Sequence, residues 1–226
     1  MKSERKSLTG LKIERFDLLV SIYIFCIVAS ELMGGKTFPL AKIFGYQLNA
    51  NVAIFLFPFI YTINDIVIEV LGKERARSII RSGLIVVALL FLYTILATAL
   101  PPSGRFIKTE GAYDTVFRLS TRIAAASLIA FAIAEFTDVL IFVKIRQRLG
   151  KKALWFRNNV SNFIAQFADT VIFMTLAFYA FDRTFSANFA FLISLIIPYW
   201  LLKSSMSIIE TPLVYLGVNW LKGGQK

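Results

Sequence analysis

Six long apolar stretches dominate this chain of 226 residues and constrain what it can fold into. A helix needs about 20 mostly apolar residues to cross the roughly 30 Å hydrocarbon core of a bilayer. Helices satisfy their backbone hydrogen bonds internally, which lipid cannot do for them. We therefore predict an all-α integral membrane protein with six transmembrane helices in one bundle, forming a single domain over residues 1–226. The predicted spans are residues 16–33, 51–71, 79–100, 122–143, 160–181 and a last one that begins near residue 187.

The last apolar segment, residues 187–221, is too long for one simple span and contains Pro198 and Pro212. Proline lacks a backbone donor and crowds the preceding helical turn. We expect this segment to protrude, tilt or break, with the two prolines as break points.

Basic residues are distributed unevenly between the predicted connections. The net charge is +11, and the side that holds both termini carries 17 Lys and Arg against 6 on the other side. This asymmetry follows the positive-inside rule and predicts cytoplasmic termini, with residues 1–15 as a basic cytoplasmic segment. The basic excess is thus explained by topology, and we expect no nucleic acid partner.

Histidine is absent and Cys26 is the single cysteine. Histidine-based acid–base catalysis, histidine metal sites and thiolate zinc clusters are therefore excluded. We expect a protein that is not an enzyme and that needs no metal or cofactor.

Polar and charged residues inside the predicted spans are the candidate functional residues. A charge at the centre of a spanning helix costs about 2.5 to 3.5 kcal/mol, so such residues mark pathways or binding sites by default. Their spacing places them on one face of each helix, and three acceptor-rich faces could meet in one wet cavity. The set is Asn64, Asp65 and Glu69; Glu135 and Asp138; Asn162, Gln166 and Asp169; and Arg122, Lys203 and Glu210.

Simpler explanations exist for some of these residues. Glu69 lies beside Gly72 at a predicted helix end, where water could solvate it, and Arg122 could reach the outer interface. Asn162 and Gln166 could serve only to hold helices together. Asp169 lies nine residues inside its span, so a cavity position is the stronger expectation for it.

Residues 134–142 and 165–173 align without gaps and share five of nine residues, including Asp138 and Asp169. On the predicted topology the two helices run in opposite directions. Similar sequence in inverted orientation is typical of transporters built from pseudo-symmetric repeats.

Several separated motifs together resemble one known family. Residues 58–73 contain D-I-x-x-E-V-x-G, beginning at Asp65. The Asp138 segment, the run W-F-R-N-N at 155–159 leading to Ser161, Gln166 and Asp169, and Lys203 followed by T-P-L at 211–213 also match. In order and spacing the chain resembles the queuosine precursor transporters, also called the vitamin uptake transporter family.

The resemblance implies a multi-pass importer in the inner (plasma) membrane for queuine or its 7-deazaguanine precursors preQ0 and preQ1. We expect Asp169, Gln166 and Asn162 to bind the base. Further cavity residues would be Asp65, Glu69, Asn64, Glu135, Asp138, Arg122 and Lys203. A coupling proton or sodium ion and a homo-oligomer are left open.

Two other functions compete with a self-contained importer. A substrate-binding subunit of an energy-coupling vitamin transporter is also small and six-helical, but it requires ATPase partners. A metal-dependent membrane enzyme would need closely spaced aspartates near glycines, whereas the acids here are dispersed over several helices.

Overall fold

A computed structural model describes residues 13–149, 154–209 and 211–223. Within these ranges the side chains at 73, 135, 136, 138–143, 145, 146, 148, 149, 154–162, 206–209 and 211 lie outside the description. Seven α-helices and one two-stranded hairpin make up the described fold. The helices are α1 Arg15–Met33, α2 Phe57–Leu71, α3 Lys73–Ala99, α4 Ile107–Leu149, α5 Leu154–Phe178, α6 Phe185–Ile209 and α7 Thr211–Lys222, and the strands are β1 Thr37–Ile43 and β2 Tyr46–Asn51.

Five described segments are helical, long and apolar enough to cross a membrane, and Phe163–Phe178, the part of α5 whose side chains are described, is apolar as well. The prediction of a mostly helical membrane protein is confirmed in this form. Helix α4 has 43 residues, roughly 64 Å at about 1.5 Å per residue, which exceeds a bilayer core. Within the described part of α4, the segment Ile107–Ala134 is apolar and long enough to span, and it overlaps the first part of the predicted span 122–143.

One face of α3 shows how these helices meet lipid. Ile85, Leu89, Leu92 and Leu96 recur at helical spacing and are all more than half exposed. Residues at this spacing share one helix face. An exposed apolar stripe of this kind suits contact with lipid tails and would be unfavourable in water.

A β-hairpin fills the connection between α1 and α2, and the sequence reasoning did not predict it. Strands β1 and β2 pair antiparallel around Phe44 and Gly45. Both of these residues have positive φ, as a two-residue type I′ turn requires. The hairpin is hydrogen-bonded to α6. The Tyr46 hydroxyl donates to the Ala190 carbonyl at 2.6 Å, and the Asn49 side-chain amide donates to the Ser194 hydroxyl at 2.7 Å.

The last apolar segment is not interrupted at the first of its two prolines. Pro198 lies inside the continuous helix α6, so the prediction of a break there is wrong. The helix continues past Pro198 to Ile209, with Tyr199 buried and Leu201 exposed just after the proline. Helix α7 begins at Thr211 with Pro212 in its first turn, a position where the missing N–H has no helical partner to lose.

Buried residues form two main clusters. Helices α1, α2, α3 and α7 share one cluster, which includes Tyr23, Ile66 and Val67. The hairpin, α5 and α6 share the other, around Met174 and Tyr199. Tyr23 of the first cluster, and Phe57 and Phe173, which pack against the second, line the cavity described below.

Candidate functional site

An interior cavity of about 210 Å³ lies among α1 to α6. Each of these six helices contributes lining residues, as does the short 3₁₀ turn Val52–Phe55 with the preceding Asn51. The polar lining residues are Tyr23, Ser30, Glu31, Asn51, Ser127, Asp169 and Lys203. Hereafter we call this space the interior cavity.

Asp169 and Lys203 form an ion pair in the wall of the interior cavity. Lys203 Nζ donates to Asp169 Oδ2 at 2.6 Å, which joins α5 to α6. The Lys203 side chain is 10% exposed and the Asp169 side chain 26%. Lys203 also lies 5.7 Å above the Phe57 ring, within the range of a cation–π contact. Pairing lowers the cost of placing both charges at membrane depth.

Glu31 adds a second carboxylate to the interior cavity. It lies on α1, is 7% exposed, and shares a helix face with Tyr23, Ile27 and Ser30. The Ser127 hydroxyl on α4 hydrogen-bonds to the Glu31 side chain. The Glu31 Oε2 atom is buried and has no hydrogen-bond partner among the described residues.

The hairpin closes one side of the interior cavity through Asn51. This residue is 1% exposed, and its side-chain oxygen accepts from the Ala53 backbone at 3.1 Å. The Tyr199 hydroxyl of α6 donates to the same side-chain oxygen and lies 3.1 Å from the Asn51 carbonyl. These bonds satisfy an amide that would otherwise be costly to bury.

Apolar and aromatic side chains make up the rest of the lining. Phe57, Phe131 and Phe173 come from α2, α4 and α5, and could stack on a flat ring. Gly83 of α3 brings the helix backbone close to α1, because a Cβ at this position would lie 2.7 Å from Ile27 Cδ1. A few polar groups in a mostly apolar pocket are typical of a small-molecule site.

Asp65 and Glu69 lie in a different place. Together with Tyr215, Asn219 and Lys222 of α7 they line a pocket of about 410 Å³ between α2 and α7, hereafter the second pocket. Both acidic residues are exposed, whereas Asp169 and Glu31 line the interior cavity.

Three further candidates lie near the interior cavity without belonging to its lining. Asn64 hydrogen-bonds to the Tyr23 side chain, which does line it. Gln166 is half-buried and lies one turn before Asp169 on α5. Arg122 of α4 donates to the carbonyls of Leu176 and Tyr179, both at 2.7 Å.

The Arg122 bonds also reveal how α4 and α5 are arranged. They connect Arg122, in the first half of α4, to the end of α5, while the end of α4 at Leu149 is only five residues before the start of α5 at Leu154, so the two helices are antiparallel. The same bonds satisfy carbonyls at the α5 C-terminus, where a cation is favourable. This arrangement matches the inverted orientation expected for residues 134–142 and 165–173.

The side chains of Glu135, Asp138 and Asn162, and all of Glu210, lie outside the described residues. Their candidate roles therefore stay predictions. The backbone of Glu135 and Asp138 is part of α4, and that of Asn162 is part of α5.

Sequence reasoning missed Glu31 and Asn51. Glu31 lies inside the first predicted span, so the rule that singled out Asp169 could have found it. However, it lies two residues before the span ends, where a solvated position is equally typical. Asn51 is the first residue of the second predicted span, and only the fold of the hairpin reveals that it is buried.

Comparisons with known proteins agree with the motifs. Residues 51–217 match the profile of a family described as "Putative vitamin uptake transporter". A "Probable queuosine precursor transporter" of Bacillus subtilis strain 168 is 28% identical over 204 residues, which is 89% of this chain and 84% of the relative.

Two further relatives match shorter regions. A "Probable queuosine precursor transporter" of Haemophilus influenzae is 31% identical over 63% of this chain and 58% of its own length. A "Queuosine precursor transporter" of Escherichia coli strain K12 is 30% identical over 59% of this chain and 58% of its own length. No solved structure matches.

The family profile spans well over half of the chain, and the family is one of transporters. The resemblance that the sequence motifs indicated is confirmed. Together with the apolar helices, the match identifies the chain as a multi-pass membrane protein of the vitamin uptake transporter family.

Proposed function

We propose that this protein imports queuosine precursors, the 7-deazaguanine bases queuine, preQ0 or preQ1, across the inner membrane by secondary transport. Its relatives carry the name queuosine precursor transporter. The interior cavity lies among six helices and combines apolar walls with a few polar groups. These features suit a flat base that must be taken out of water.

The Asp169–Lys203 pair is the observation that carries this proposal. A guanine-like edge presents N–H donors next to a carbonyl acceptor. Asp169 can accept from the N–H groups, while Lys203, 2.6 Å away, can donate to the carbonyl. The ion pair thus supplies both an acceptor and a donor for the edge of the base, and the Phe57 ring beside it could stack on the base.

Other predicted residues take supporting places in the proposal. Gln166 and Asn162 precede Asp169 by about one and two turns on α5, so they would extend the binding face along that helix. Glu135 and Asp138 would face α5 from the antiparallel α4. Asp65 and Glu69 would act at the second pocket, apart from the bound base.

The proposed topology has six spans and cytoplasmic termini. The Lys and Arg bias toward the predicted cytoplasmic side supports this orientation. The hairpin follows the C-terminal end of α1 and would therefore lie on the outer side, where it covers the interior cavity through Asn51.

Uptake by the purified protein tests the proposal. Proteoliposomes that contain only this chain would be assayed with labelled preQ1 and queuine, with and without proton and sodium gradients. The comparison variant is Asp169→Asn, and Asp182→Asn at an exposed loop position is its matched control. We expect uptake by the wild type and by Asp182→Asn, and none by Asp169→Asn.

The alternative outcomes are equally clear. Uptake that survives in Asp169→Asn would contradict the role of the ion pair. Binding without uptake would instead indicate a substrate-binding subunit that depends on an energy-coupling partner. Absence of both binding and uptake would contradict a 7-deazaguanine substrate.

A further inference from the structure

Glu31 is a buried carboxylate in the wall of the interior cavity, and the proposed contacts with the guanine-like edge do not involve it. It is more than nine-tenths buried, and the Ser127 hydroxyl hydrogen-bonds to its side chain. Its Oε2 atom is also buried and lacks a hydrogen-bond partner among the described residues. A buried acceptor left in this way destabilises the protein, and more so if it is charged. Such an atom in a cavity wall is suited to a ligand that brings its own donor.

The charges of the cavity wall indicate what kind of donor fits. Asp169 and Lys203 are paired at 2.6 Å, so their charges cancel. Glu31 is then the one carboxylate of the described lining without a cationic partner. With a neutral ligand, Glu31 would either stay charged without a partner at membrane depth or take up a proton, whereas a monocation would pair with its carboxylate.

Two pairs of polar side chains in the lining come from different pairs of helices. Glu31 and Ser127 come from α1 and α4, and Asp169 and Lys203 come from α5 and α6. Apolar and aromatic side chains make up most of the remaining lining. A ligand with a donor–acceptor edge on one ring and a cationic group on the other could therefore use both polar groups at once.

We propose that Glu31, held by Ser127, is the binding site for a cationic aminomethyl substituent of the substrate. This inference rests on the proposed function and narrows it to 7-deazaguanines that carry a protonated amine. PreQ1 has this group, whereas preQ0 has a neutral nitrile at the same ring position. The amine donates to Oε2 in a charge-assisted hydrogen bond.

Equilibrium binding of preQ1 and preQ0 to the detergent-purified full chain tests the assignment. The variant Glu31→Gln keeps the size of the side chain and its bond to Ser127 but removes the charge. We expect its preQ1 affinity to fall by about ten- to a hundred-fold, as the loss of a charged hydrogen bond predicts. PreQ0 affinity should change by no more than about three-fold. Glu74→Gln, at an exposed surface carboxylate, is the matched control and should change neither.

Ser127→Ala provides a milder second variant. It keeps the carboxylate but removes the hydroxyl that orients it, so we expect a smaller loss, again selective for preQ1. Equal loss of both ligands in a folded Glu31→Gln protein, or loss of neither, would overturn the assignment. If Glu31→Gln does not fold, unselective behaviour of Ser127→Ala would overturn it instead. Failure of the wild type to bind either base would contradict the proposed function itself.

Discussion

The interior cavity and the second pocket both contain carboxylates, but they place them in different surroundings. Asp169 is paired with Lys203 and Glu31 is 7% exposed, both in a cavity lined by six helices. Asp65 and Glu69 are exposed beside α7, with Lys222 in the same pocket. Charges of the first kind are buried among helices and need a partner or a ligand, whereas charges of the second kind line a pocket between α2 and α7 that also contains a lysine.

This difference shows why helical spacing alone does not define a site. Asp65 and Glu69 are four residues apart, and Gln166 and Asp169 are three apart, so the members of each pair lie about one helical turn apart on a shared face. Spacing reveals which residues share a face but not what that face meets. Ile66 and Val67 are buried in the cluster around α1 and α7, and this packing turns Asp65 away from the interior cavity.

Replacing Asp169 by Asn should have the largest effect. The amide cannot accept two hydrogen bonds at full strength, and Lys203 is left buried without a counter-charge. We expect preQ1 affinity to fall by at least about a hundred-fold, measured by equilibrium binding in detergent. An affinity close to wild type would contradict the assignment of the base edge to the ion pair.

Replacing Lys203 by Met should weaken both binding and stability. Asp169 loses its partner at 2.6 Å, which should lower the free energy of unfolding by about 1 to 3 kcal/mol. We expect about a ten-fold loss of preQ1 affinity, since one donor to the carbonyl is gone. The double variant with Asp169→Asn should be less destabilised than the sum of the single changes, because no charge is left unpaired. Additive thermal destabilisation would show that the two residues are not coupled.

Changing Gly217 to Ala should affect the α2–α7 contact and leave the interior cavity intact. A Cβ at this position would clash with the Ile66 side chain. Overpacking of this kind costs about 1 to 3 kcal/mol, so the thermal unfolding temperature should fall while preQ1 affinity is retained. Gly111→Ala is the control, because nothing lies within 4 Å of its Cβ position. A parallel loss of affinity in Gly217→Ala would mean that the second pocket and the interior cavity are linked.

Asp65→Asn should have the smallest effect on binding. Its side chain is exposed in the second pocket and does not line the interior cavity. We expect preQ1 affinity in detergent to stay within about two-fold of wild type, as for surface charges generally. A loss of affinity as large as that of Asp169→Asn would indicate that the base binds between α2 and α7 instead.

The helical membrane architecture and the position of Asp169 in a cavity wall could be predicted because both follow from local rules. Apolar length predicts spans, and a charge in the middle of a span must be buried against something. Lys203 entered the prediction as an opposite charge, although only the packing of α5 on α6 identifies Asp169 as its partner.

Features that depend on distant contacts were harder to predict. The hairpin is stabilised by α6 residues more than 140 positions away, such as Ala190 and Ser194. Pro198 stays inside α6 although proline usually breaks helices, and Pro212 lies in the first turn of α7, where proline is tolerated. Glu31 could be seen as an intraspan charge, but its burial against Ser127 depends on how α1 meets α4.

A structure of the protein bound to preQ1 would test the central claim most directly. The account predicts the base in the interior cavity, with its guanine-like edge within hydrogen-bonding distance of Asp169 and Lys203 and its amine beside Glu31. A base bound instead in the second pocket, between Asp65 and α7, would contradict it.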